Sequence, residues 1–151
     1  MKFILILAMA LFNPVLASAD EINRKLINQL QLFGSEKLNL QDLILIKRVV
    51  LVFADSPQDP NFIRQIKLLN ERPDALINRD VVVLIDTDPL KKSDIRKQLR
   101  PRGFMLVLIG KDGTIALRKS SPWNVREISR SIDKMPLRKQ EIKINLKLIN
   151  Q

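Results

Sequence analysis

The sequence predicts an α/β domain, a central mixed sheet flanked by helices, and three observations predict it. Arg48-Val49-Val50-Leu51-Val52-Phe53-Ala54 is a continuous β-branched and aromatic run, the mark of a strand buried on both faces. A second run of that kind, Val81-Val82-Val83-Leu84-Ile85, follows after a helical stretch. Gly110-Lys111-Asp112-Gly113 then separates two further strand-like segments, as a hairpin turn would.

The chain begins with 19 residues that read as a secretory leader. Met1-Lys2 supplies the positive start, Phe3 to Phe12 an apolar run, and Asn13-Pro14 the break. Ala17-Ser18-Ala19 is a small-x-small cleavage site, so the mature chain is expected to begin at Asp20. The apolar run is too short for a membrane span, which needs about 20 residues. Cleavage removes only Lys2 from the charge count. The expected location is therefore outside the cytoplasm, in a periplasm or beyond.

Residues 20–37 read as a helical lead-in. Ile22, Leu26, Ile27, Leu30 and Phe33 share one face at helical spacing, and Gly34 is a natural stop. Leu38 to Ile46 fits a short helix or the approach to a strand. After the first buried strand, Asp59 can cap a helix with Pro60 at its first position. Phe62, Ile66 and Leu69 give that helix an inner stripe, and Pro73 ends or kinks it near Arg72. The second strand leads into Asp86-Thr87-Asp88-Pro89, a loop, then a short helix over Ser93 to Leu99 capped by Ser93.

Phe104 to Ile109 is the third strand, and Thr114 to Lys119 pairs back across the hairpin. Asn124 and Glu127 form a capping box, with Trp123 and Ile128 placed for a hydrophobic staple. Val125, Ile128 and Ile132 face the core. The order is β-α-β-α-β-β-α over residues 38–136, and that is the thioredoxin-like order. Residues 137–151 form a basic extension. Its alternation of Ile142, Ile144, Leu146 and Leu148 with Lys143, Asn145 and Lys147 has the period of a strand. The expectation is an extra strand over 141–149, on this sheet or on a partner, against the alternative of a frayed terminus.

Composition narrows the chemistry. The 151 residues hold no Cys, His or Tyr, and the formal net charge is +10. Disulfide exchange and thiol peroxidase chemistry need a thiolate, and zinc sites of the usual kind need Cys or His. No cofactor and no metal site is expected. The charge favours an acidic partner: a protein patch, a glycan or a membrane surface. Nucleic acid is not expected, because aromatics are 5% and do not interleave the basic residues.

Candidate binding residues are few. Asp55 and Asp59 flank one turn, and Asp86 and Asp88 another, at the strand ends where α/β ligand sites form. They suit an acid–base pair or a hard cation, and they equally suit helix capping and turn chemistry. Lys111, beside Asp112 and with Arg118 on the next strand, could hold an anion or form a solvated turn.

Several of these stretches together resemble a thioredoxin-like family catalogued as domain of unknown function 4174. They are Arg48 to Ala54, Asp59-Pro60, Arg79-Asp80-Val81-Val82-Val83, Leu108 to Gly113, Leu117-Arg118 and Ile132-Asp133-Lys134-Met135-Pro136-Leu137-Arg138. The likeness runs over roughly residues 40–141. It implies a small exported bacterial protein, related to domains of sushi-repeat and coiled-coil-domain matrix proteins, with no established reaction. Members often carry Trp shortly before the Arg of the first strand; this chain has Ile44-Leu45-Ile46-Lys47 there. Thioredoxins carry two cysteines after the first strand, where this chain has Pro57-Gln58-Asp59-Pro60. The leading expectation is an exported, non-catalytic binding domain with Asp55, Asp59, Lys111, Arg118 and Arg138 as its candidate contacts. The alternatives are a carboxylate-dependent enzyme with its site in the loops after the first two strands, and a plain structural scaffold.

Overall fold

The computed structural model describes residues 32–35 and 39–150. Its centre is a five-stranded sheet in the order β1-β3-β2-β4-β5. The strands are β1 (Leu32–Gly34), β2 (Arg48–Phe53), β3 (Val81–Asp86), β4 (Met105–Ile109) and β5 (Ile115–Lys119). β3 runs parallel to both β1 and β2, whereas β4 is antiparallel to β2 and to β5. The mixed thioredoxin-like sheet expected from the sequence is therefore present.

β2 is buried at every position, because helices cover both faces. Alternation sorts its side chains. Val50 and Val52 point into a core with Leu69, Leu76, Ile128 and Ile132, while Val49, Leu51 and Phe53 point into another with Ile95 and Leu99. The first face carries α2 (Pro60–Glu71), α3 (Pro73–Ile77) and α5 (Val125–Asp133); the second carries α1 (Leu40–Leu43) and α4 (Asp94–Leu99). A last helix, α6 (Pro136–Ile149), follows α5.

Local chemistry fixes the boundaries. Asp59 accepts from the N–H groups of Asn61 and Phe62 at the start of α2. Asn124 and Glu127 close a reciprocal capping box on α5. Between β4 and β5 the Gly110 carbonyl accepts the Gly113 N–H, and Gly113 turns the chain at φ +78°, a conformation glycine adopts without strain.

Two expectations are corrected. Leu32–Gly34 is a strand on the edge of the sheet, not the end of a helix; residues 20–31 of the proposed lead-in lie outside the described residues. Phe33 stands opposite Leu84 of β3 and packs on the second core, so pairing and burial outweigh the helical spacing. Residues 141–149 are helix rather than an extra strand. Pro136 starts α6 at its first position, and only its first two turns are partly buried. Beyond Ile142 the side chains are exposed, so no packing surface among the described residues enforces the two-residue alternation.

Candidate functional site

The parallel strands divide the molecule into two ends. At one end lie the C-termini of β2 and β3, where thioredoxins carry their reactive loop. At the other lie the N-termini of β2 and β3, the β4–β5 turn and the start of α6. Charged residues gather at both.

At the first end the central residue is Asp86, the last of β3 and buried. Its carboxylate accepts from Ser35 Oγ at 3.1 Å, from Ser93 Oγ, and from Arg96 Nε and Nη2 at 3.0 and 2.8 Å. Arg96 Nη2 also donates to the carbonyls of Ala54 (2.8 Å) and Asp86 (2.9 Å), clasping the ends of β2 and β3 together. The guanidinium stands 5.4 Å from the Phe53 ring centroid. Burial alone would raise the pKa of Asp86; the Arg96 hydrogen bonds, then those from Ser93 and Ser35, outweigh it and hold the carboxyl below its ordinary value. A carboxylate so saturated stays ionised and has little lone-pair capacity left for substrate.

A cavity of about 590 Å³ opens beside this cluster, lined by Ser35, Asp86, Thr87, Asp88, Lys91 and Ser93 among others. The neighbouring carboxylates are committed as well. Asp59 caps α2, Asp88 caps a short 3-10 turn through the Leu90 N–H, and exposed Asp55 lies 3.6 Å from Arg96. Among the described residues no group of three or more His, Cys, Asp or Glu side chains could hold a metal ion.

The second end is built around Arg48, the first residue of β2, whose side chain is wholly buried. Its Nη1 donates to the Arg79 carbonyl (2.8 Å) and its Nη2 to Glu141 of α6 (2.9 Å). Glu141 also meets Lys111 Nζ at 2.9 Å and Arg138 Nη1 at 3.2 Å. Lys111 in turn reaches Asp80 (2.8 Å), and Arg79 makes a bidentate pair with Asp133 at 2.9 and 2.8 Å. Burial would push Glu141 up, but hydrogen bonds from Lys111, Arg48 and Arg138 bring its pKa down to about 2. Burial works against the ammonium of Lys111, yet Asp80 and Glu141 raise its pKa. The Arg79 hydrogen bonds hold Asp133 below its ordinary value. Arg48, Arg79, Asp80, Lys111, Asp133 and Arg138 all belong to the stretches that carry the family resemblance, and the fold brings them into this one network.

The structure therefore splits the candidate residues. Lys111 and Arg138 meet through Glu141. Asp55 and Asp59 lie at the opposite end. Arg118 joins neither group: its Nη1 donates to the Leu99 carbonyl at 2.7 Å. Three important residues escaped the sequence reading: Glu141, Arg96 and Gln65. Gln65, buried in α2, exchanges two 2.9 Å hydrogen bonds with the backbone of Trp123. Arg48 carried a signal, a cation opening an otherwise apolar strand; its partner Glu141 lies 93 residues away and carried none.

The acid behaviour of the network follows from the sign of these shifts. Glu141, Asp86 and Asp133 have folded-state pKa values below their unfolded ones. Their contribution is present above the unfolded pKa and is lost as pH falls through the folded one. For Glu141 the window runs from about pH 4.5 down to about pH 2 and is worth roughly 3 kcal/mol. Urea unfolding followed from pH 7 to pH 2 should show the midpoint falling across that window, and Glu141→Gln should flatten the fall.

Solved structures confirm the fold. A reduced 2-Cys peroxiredoxin from Plasmodium vivax superposes with TM-score 0.56 at 19% identity, covering 68% of this chain and 85% of that one. Chloroplastic thioredoxin z gives TM-score 0.53 at 19% identity, over 70% and 93% of the two chains. The reduced desulfothioredoxin of Desulfovibrio vulgaris Hildenborough gives 0.52 at 17%, over 71% and 99%. At these identities the likeness is one of fold. No curated protein matches the sequence. Over residues 39–141, two thirds of its length, the chain matches a family model, and it belongs to the family described as Domain of unknown function (DUF4174).

Proposed function

We propose that the chain is an exported, non-catalytic thioredoxin-like domain that binds an acidic partner through its basic helices. The observation that carries this reading is a cationic line on α5 and the residue after it. Arg126, Arg130 and Lys134 recur every fourth residue, on one side of the helix, and all three are exposed. Among the described residues none of the three makes an ion pair, whereas Arg48, Arg79, Arg96 and Lys111 are each paired with a carboxylate. Among the described residues the excess of positive charge thus falls largely on the surface rather than in the internal networks.

The non-catalytic half of the proposal rests on commitment of the reactive groups. The loop after β2 contains no thiol, Asp59 is used as a helix cap, and Asp86 is saturated by Arg96, Ser93 and Ser35. Export is read from the leader sequence and cleavage site.

Retention on a heparin resin tests the binding surface. The parent should be held and released by salt, since charge contacts between exposed groups are screened. Arg126→Glu/Arg130→Glu/Lys134→Glu should elute at markedly lower salt than Arg64→Glu/Lys67→Glu/Lys92→Glu, which changes net charge equally elsewhere. Equal losses in the two triples would reduce the effect to net charge and remove the proposed surface.

A further inference from the structure

α6 leaves the body of the protein after two turns. Leu137, Arg138, Glu141 and Ile142 are half-buried, and every residue from Lys143 to Asn150 is exposed. Four of those exposed residues are large and apolar: Ile144 at 58%, Leu146 at 55%, Leu148 at 66% and Ile149 at 78% of full exposure. Such a cluster on a projecting helix marks an interaction site rather than ordinary surface.

Helical geometry arranges the exposed groups. Leu146 and Ile149 fall along one line of α6 with the half-buried Ile142; Lys139, Lys143 and Lys147 fall along the line beside it, and Ile144 and Leu148 lie on the far side of the lysines. The acidic residue of this helix, Glu141, is turned inward to Arg48, Lys111 and Arg138. The outward surface from Lys139 to Asn150 therefore presents lysines, amides and aliphatics with no carboxylate.

That combination selects the occupant. A second copy meeting α6 along the Leu146–Ile149 line would bring the flanking lysines together, with no acid on the facing surface to neutralise them. A soluble polyanion would satisfy the lysines and leave the isoleucines and leucines in water. An anionic lipid surface takes the lysines and the neighbouring Leu146–Ile149 line together, the ammonium groups at the headgroups and those two aliphatic chains at the acyl boundary. We infer that the second half of α6 docks in the plane of an anionic lipid bilayer. Its eight residues, 142–149, span about 12 Å, far short of the roughly 30 Å hydrocarbon core, so the helix lies in the interface rather than crossing it. No helix among the described residues is long and apolar enough to cross. The inference rests on the reading of the chain as a binder of acidic partners, and it names the acidic surface.

The chain has no cysteine, so Leu146→Cys takes an environment-sensitive fluorophore at one site. The full chain is mixed with vesicles of phosphatidylcholine alone, or of phosphatidylcholine with phosphatidylglycerol. The label should shift to the blue only with the anionic vesicles. In co-sedimentation, Lys139→Glu/Lys143→Glu/Lys147→Glu and Leu146→Asn/Ile149→Asn should each weaken vesicle binding about tenfold or more. These positions are exposed, so the variants fold. Whatever residues 1–31 add to lipid binding is common to parent and variants. Equal vesicle binding by parent and variants overturns the inference, as does a label that never shifts. A blue shift without lipid that grows with protein concentration would make a second copy the occupant and also overturn it. Retention on heparin without vesicle binding removes the lipid surface and leaves the acidic-partner reading standing; loss of both removes both.

Discussion

Glu141→Gln is expected to lower the stability of the fold by about 3–5 kcal/mol, although the substitution keeps the size and shape of the side chain. The reason is Arg48, wholly buried with its charge balanced by this carboxylate at 2.9 Å. Its Nε has no hydrogen-bond partner among the described residues, so little else compensates the cost of burying it. Lys111 keeps Asp80 when Glu141 is neutralised, and Arg138 is partly open to water. Arg48 alone is stranded. The companion experiment is Arg48→Met/Glu141→Leu, which removes the stranded charge with the carboxylate and should recover much of the loss. Urea unfolding of parent, single and double variants measures both. A Glu141→Gln chain within about 1 kcal/mol of the parent would mean that Arg48 is satisfied without the pair.

Phe53→Ala should cost about 3–5 kcal/mol. Phe53 is 0% exposed at the end of the central strand, packed in the second core with Leu51 and Leu84. Truncation opens a cavity there and removes the ring beneath the Arg96 guanidinium, which clasps β2 to β3. Asp55→Asn, two residues on, should change stability by less than about 1 kcal/mol, since that carboxylate is exposed and its contact with Arg96 is long at 3.6 Å. Chemical denaturation ranks the two variants. Asp55→Asn proving worse than Phe53→Ala would contradict the placement of β2 in the middle of the sheet.

The sheet was legible because its signals are local and strong. Val49 to Phe53 and Val81 to Ile85 can be buried on both faces only as interior strands, and Asp59-Pro60, Asn124 and Glu127 announce their helices through capping chemistry. The C-terminal region misled for the opposite reason. From Lys143 onward nothing among the described residues packs against the aliphatic side chains, so their alternation carries no structural constraint, and Pro136 with the inward pull on Glu141 settles a helix. β1 was missed because three residues, Leu32 to Gly34, are too few for any periodicity to declare a strand. The candidate residues were legible as charges but not as partners. Lys111 and Arg138 stood out individually; the carboxylate that joins them is defined only once α6 folds back over the start of β2.

The Arg48–Glu141 pair also has a consequence in time. Arg48 leaves the ribosome 93 residues before its counter-ion is made. Until then, the strand at the centre of the sheet carries a charge that folding would bury uncompensated. Domains tend to fold as units once synthesised, and in this chain the unit closes only when α6 arrives. A nascent or truncated chain ending before residue 141 holds the apolar strands of the sheet but not the carboxylate that settles Arg48. It is thereby biased to stay open and accessible to proteases until synthesis of α6 lets the sheet close.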